Sequence, residues 1–133
     1  MKKVIYIIFV LFAFGLNSVF ANDIIDLSLE KCVSENYMTE GMNNCARIGI
    51  DSRDKEINKY TLEIKNKLSP KDIKLFEKSQ NSWNKYYLSE QKFLFETLYN
   101  EVGDIHTTYV YGYLYNLKKS RAMYLKELLN NLK

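Results

Sequence analysis

Proline, histidine, cysteine and glycine are all scarce in this chain: one, one, two and five residues respectively among 133. The scarcity excludes much chemistry. No glycine-rich phosphate loop, G-x-S-x-G elbow or H-E-x-x-H pair is present. The only histidine is His106 and the two cysteines are not spaced C-x-x-C, so a metal or redox pair is not indicated, and no metal and no cofactor are expected. Neither sign of charge dominates, with 19 Lys and Arg against 16 Asp and Glu. The balance gives no argument for binding nucleic acid or an acidic membrane. Scattered carboxylates on helices are usually solvated faces, and nothing singles out a catalytic pair.

Long apolar runs are also missing, except at the start. Lys2 and Lys3 precede an apolar stretch from Val4 to Leu16, too short to span a bilayer comfortably. Val19-Phe20-Ala21 places small residues at positions −3 and −1 of a cleavage site. Residues 1–21 are therefore expected to be a signal peptide and residues 22–133 one helical domain, periplasmic or secreted. No cysteine stands at the cleavage site to carry a lipid, so no stable membrane anchor is expected after cleavage. Loss of Lys2 and Lys3 leaves a net charge of about +1.

Export would place Cys32 and Cys45 in an oxidising compartment, where such a pair tends to close. Closing a loop of that size stabilises by roughly 3 kcal/mol in the chain-entropy picture. The spacing is not C-x-x-C, and a disulfide leaves no thiolate for Cys–His catalysis with His106.

What remains is helical patterning. Ser69-Pro70-Lys71-Asp72 reads as a helix start, with Ser69 as N-cap, Pro70 in the first turn and Asp72 near the positive end of the dipole. Gly103 is a plausible stop, giving a helix from about Pro70 to Val102. Its stripe is Phe76, Gln80, Trp83, Tyr87, Gln91, Leu94 and Leu98. A helix from about Thr39 to Leu68 carries Met42, Ala46, Ile50, Asp54, Ile57, Thr61, Ile64 and Leu68. A short helix from about Ile24 to Val33 ends near Cys32. The last helix carries Val110, Leu114, Leu117, Arg121, Leu125, Leu128 and Leu132. Tyr109, Tyr111, Tyr113 and Tyr115 alternate with strand periodicity, but the stripe runs on past them and a lone strand would have no partner. The expected fold is all-α: a small antiparallel bundle of three long helices with a short N-terminal helix, stapled by a disulfide.

Polar residues interrupt each stripe. Asp54, Gln80 and Arg121 would face the core, and unpaired buried charges are costly. A structural cluster of Asp54, Asn58, Gln80 and Arg121, with Asp54 paired to Arg121, is one explanation. A misphased rim and a ligand or catalytic site are the others. Trp83 on its stripe is expected to be core rather than a stacking platform.

Several segments together carry a resemblance. Cys32, then Thr39-Glu40-Gly41-Met42-Asn43-Asn44-Cys45-Ala46, then Asp54-Lys55-Glu56-Ile57-Asn58, resembles the first half of the LprI-type lysozyme-inhibitor domain, with its pattern Cys, T-x-x-M-x-x-C-A, D-x-E-L-N. Gln80-Asn81-Ser82-Trp83-Asn84-Lys85-Tyr86 resembles that family's Q-x-x-W-x-x-[YF]. Leu117 to Leu125 resembles its closing L-T-x-x-R-[AT]-x-x-L, with Arg121 at the arginine. Two further cysteines common in the family are replaced, one by Gln91 and one in the region of Tyr113. Leu88 stands where an Asp is usual. Thr61 stands at an expected aromatic position, with Tyr60 one place early.

The resemblance implies a small secreted helical domain that binds a protein, in some members a lysozyme-type muramidase, and inhibits it without catalytic residues of its own. An immunity-type or envelope adaptor protein is the alternative, and a cell-wall enzyme a more distant one. For contact residues, the connection from Gly103 to Thr108, with Asp104 and His106, and the neighbouring Tyr109, Tyr111, Tyr113 and Tyr115 are the candidates. A charge near +1 offers a cationic target no electrostatic steering.

Overall fold

The computed structural model describes residues 23–98 and 105–132. The expected signal peptide, the helix end at Val102 and Gly103, and Asp104 lie outside the described residues. Among the described residues four helices follow one another: α1 (Ile24–Glu35), α2 (Thr39–Lys65), α3 (Pro70–Leu98) and α4 (Ile105–Asn131). No described residue is in a strand, and none of these helices is long and apolar enough to cross a membrane.

The ends follow from local chemistry. Asp23 caps α1, its carboxylate accepting from the N–H groups of Ile25 and Asp26 at 3.1 and 3.0 Å. That helix runs two residues beyond the expected Val33, and Asn36 closes it by donating its side-chain amide to the Cys32 carbonyl. Helix α2 stops at Lys65 instead of Leu68. Lys67 and Leu68 tighten into bonds to the carbonyls of Ile64 and Lys65, and Pro70 disfavours helical backbone at Ser69. Ser69 caps α3 as expected: its hydroxyl accepts from the Asp72 N–H and donates to the Asp72 carboxylate. The alternating tyrosines are helical, and α4 takes in residues 105–108, where a loop was expected. Buried Asn43 pins that first turn, donating to Thr107 Oγ1 at 2.6 Å.

The side-chain partners give the topology. Asn43 meets Thr107 and Asp54 meets Lys118, both 64 residues apart, so α2 and α4 run parallel in fixed register. Lys65 pairs with Glu77 and Thr61 with Gln80, so α3 returns antiparallel to α2 before packing along α4. Helix α1 lies antiparallel on α2, held by the Cys32–Cys45 disulfide with an S–S distance of 2.01 Å. The arrangement is the expected three-helix bundle with a stapled short helix.

Two apolar clusters fill it. Ile57, Ile64, Phe76, Ala122 and Leu125 form one, toward the α2–α3 turn. Tyr87, Leu94, Val110 and Leu114 form the other, toward the start of α4. Trp83 packs against both, as its place on the stripe suggests. Each fully buried aliphatic side chain here contributes about 1.5–3 kcal/mol.

Candidate functional site

The α3 stripe is phased as read: Phe76, Tyr87 and Leu94 are buried, with Gln80, Trp83 and Gln91 partly so, although Leu98 is exposed. Between α2 and α3 runs a polar groove of about 340 Å³, lined by Asp54, Asn58, Thr61, Gln80, Asn81 and Asn84 with the Lys65–Glu77 pair at one end. Only Ile57 adds an apolar side chain to this lining. The groove thus gathers Asp54, Asn58 and Gln80, and Arg121 lies one hydrogen bond away.

The pairing is not the one expected. Asp54 accepts from Lys118 Nζ at 2.5 Å and does not meet Arg121. Register decides this, because position 118 lies level with 54 in the parallel α2–α4 pair, while Arg121 sits a turn further along. Lys118 is itself buried, its ammonium 4.0 Å from the Tyr87 ring centre and 5.2 Å from that of Trp83. Tyr87 is pushed up to about 12 by burial and by the nearby Asp54 and Asp51 carboxylates.

Arg121 has a different setting. Its guanidinium lies 5.4 Å from the Trp83 ring centre and 5.0 Å from that of Tyr124, and it donates to the Gln80 carboxamide oxygen. Gln80 in turn donates to Thr61 Oγ1 at 2.9 Å. No carboxylate among the described residues pairs with Arg121, and its Nε is buried without a partner. Burial accordingly holds its pKa below the ordinary arginine value.

A second polar centre was not anticipated. Arg53, only 1% exposed, donates to Asp23 at 2.7 and 2.8 Å, to Glu56 at 2.8 Å, to Asp26 at 3.0 Å and to the Tyr115 hydroxyl. Tyr115 donates its hydroxyl to Asp26 at 2.6 Å, and Lys119 donates to the other Asp26 oxygen. Burial works against the Arg53 charge, but the hydrogen bonds it donates to Asp23, Glu56 and Tyr115 outweigh it and its pKa is raised. The bond to Arg53 holds Asp23 below the ordinary carboxylate range. For Asp26, burial pushes upward but is outweighed by hydrogen bonds from Lys119 and Tyr115. The available signal was Gly49, one turn before Arg53. A Cβ there would lie 3.0 Å from the Tyr115 ring, so glycine admits the ring that carries the hydroxyl inward.

The four tyrosines therefore separate. Tyr115 is buried and structural, not a surface residue. Tyr111 packs edge-on against Phe95 and under Arg47. Tyr109 and Tyr113 are 70% and 48% exposed. With Met42, Ile105, Thr108, Gly112 and Asn116 they line an open, mainly apolar groove of about 490 Å³ at the shared end of α2 and α4. His106 is exposed in the first turn of α4, outside that lining. Among the described residues no three His, Cys, Asp or Glu side chains gather to hold a metal ion.

A family model described as "Lysozyme inhibitor LprI" matches residues 31–125. No curated protein matches the chain, and no solved structure does.

Proposed function

We propose that this chain, which belongs to the LprI lysozyme-inhibitor family, is a periplasmic or secreted protein-binding domain that inhibits a lysozyme-type muramidase. The Tyr109–Tyr113 groove is the contact face in this reading. The observation that carries the choice of face is Gly112. A glycine inside a helix costs about 1 kcal/mol relative to alanine, and a Cβ at Gly112 would meet nothing within 4 Å. Packing within the fold gives no reason for it. An open floor between two exposed rings is what a partner needs to bring its own side chains against the helix backbone. With a net charge near +1, long-range attraction to a cationic enzyme contributes little, so contact area must carry the affinity.

The test is inhibition of a panel of muramidases acting on purified peptidoglycan. The purified protein should slow at least one of them and should not cleave peptidoglycan alone. Changing Tyr109 and Tyr113 together to alanine should weaken inhibition by on the order of tenfold or more, with the unfolding midpoint nearly unchanged. No inhibition across the panel rejects the target class. Inhibition indifferent to both tyrosines rejects the face.

A further inference from the structure

We infer that the Tyr109–Tyr113 groove receives an uncharged, apolar loop of the muramidase, so that the enzyme inserts and this chain accepts. The identity of the partner rests on the reading above; the chemistry of the inserted segment rests on the groove. Charge comes first. From Ile105 to Leu117 the chain carries no Asp, Glu, Lys or Arg. Among the described residues none of these lines the groove either. A charged side chain pressed in there would lose its water and meet no counter-charge, which is costly. The lining offers instead Met42, Ile105 and the rings of Tyr109 and Tyr113. Ile105 and Tyr109 are 50% and 70% exposed, so an apolar segment laid across them withdraws from water a surface that the free chain leaves wet.

The rim indicates the form of that segment. Asn116 and the two tyrosine hydroxyls each donate and accept. They suit the backbone N–H and C=O groups that an irregular loop leaves unpaired, whereas a helix uses up its own. A volume of about 490 Å³ is that of an ordinary ligand site, with room for a few side chains. The free chain is also imperfect at two lining positions one turn apart. Gly112 weakens the helix without a packing reason. The Thr108 hydroxyl oxygen is shut off from water, with no hydrogen-bond partner among the described residues. Departures from local rules of this kind are expected where a surface serves a partner and not the fold.

The muramidase that the intact chain inhibits is the first probe, with affinity and dissociation rate measured directly. Raising NaCl from about 50 mM to about 500 mM should weaken binding by no more than about threefold, since no charge pair is screened. Asn116→Glu and Asn116→Lys should both speed dissociation, a quantity that long-range steering leaves nearly alone. Gly112→Ala should raise the unfolding midpoint and yet weaken binding several-fold. Gly112→Leu, which fills the groove, should weaken it on the order of tenfold or more. The second probe needs no enzyme. N-acetyl-phenylalaninamide and N-acetyl-leucinamide should move the Gly112 backbone amide resonance of the free wild-type chain, and the lysine and aspartate amides should not. Binding that falls on the order of tenfold with salt, slower dissociation in either Asn116 variant, wild-type binding by Gly112→Leu, or no preference for the apolar amides overturns the inference and leaves the muramidase reading standing. No inhibition across the panel overturns the partner together with that reading. The amide titration then still decides whether the groove takes an uncharged apolar group.

Discussion

Arg53 and Arg121 both carry a guanidinium into the bundle, one from α2 and one from α4, and the fold treats them in opposite ways. Arg53 meets three carboxylates and a tyrosine hydroxyl, which raise its pKa. Arg121 meets two aromatic rings and one carboxamide, and its pKa is lowered. The difference is helix α1. That short element brings Asp26 and its cap Asp23 onto the α2–α4 face, and the disulfide holds it there. Among the described residues no carboxylate is brought to Arg121 in the same way. A charge that the fold has fully neutralised belongs to stability. A charge half-buried against neutral partners, with no matching anion among the described residues, bears its desolvation cost largely uncompensated.

The largest expected effect separates the two directly. Arg53→Met leaves Asp26 buried and removes the donor shared by Asp23 and Glu56. Asp26 keeps Lys119 and Tyr115, but Asp23 and Glu56 lose their cation, and breaking this partly buried network should cost up to roughly 3 kcal/mol, read as a lower midpoint in urea unfolding. A loss below about 1 kcal/mol would mean that the acidic side chains reach water without rearrangement, and the contrast with Arg121 would fail.

How far this contrast could be read in the sequence depends on the helix. On α3, Phe76, Gln80, Trp83, Tyr87 and Leu94 fall at steps of three and four, and one element, α4, receives most of that face, so the phase is unambiguous. Helix α2 is flanked by α1, α3 and α4 together, and its buried side is broad: Cys45, Ala46, Gly49, Arg53, Ile57 and Ile64. A stripe drawn through Met42, Ile50 and Asp54 runs along the edge of that side. It selects Asp54, a partly exposed residue, and passes over Arg53 beside it. Hydrophobicity cannot find an arginine in a core. The pairing of Asp54 was missed because it depends on the 64-residue register between α2 and α4, which no local pattern encodes. In the sequence Tyr115 is indistinguishable from its exposed neighbours, since a tyrosine that ends on a buried hydroxyl looks like any other. Gly49 and Gly112 show the same ambiguity: one admits an internal ring, the other opens a groove.

A smaller effect is the response to acid. Asp23 and Asp26 have folded-state pKa values below their unfolded ones. Their contribution is therefore present above the unfolded value, near pH 4, and is lost as the pH falls through the lowered folded values. Unfolding free energy measured from about pH 6 down to about pH 2 should fall with acid in the wild type. In Arg53→Met it should fall less, because the partner that depresses Asp23 is gone, while Lys119 and Tyr115 still hold Asp26 down. Arg121→Met should keep the wild-type slope. Equal slopes in all three proteins would remove the network as the source of acid sensitivity.

The smallest expected effect is the stability of Arg121→Met itself. Methionine keeps much of the unbranched stem that packs against Trp83 and Tyr124, while the charge disappears. What the fold loses is one hydrogen bond to Gln80, whose amide still donates to Thr61, and the attraction of the cation for two rings. Those terms are worth about 1 kcal/mol each. What it gains is relief from holding a guanidinium out of water with Nε unpartnered and no carboxylate against it. The two sides nearly cancel, so the change should lie within about 1 kcal/mol of wild type in either direction. Urea unfolding makes the measurement. A loss approaching that of Arg53→Met would mean that the fold already satisfies Arg121 from within, and the distinction between the two arginines would reduce to their degree of burial.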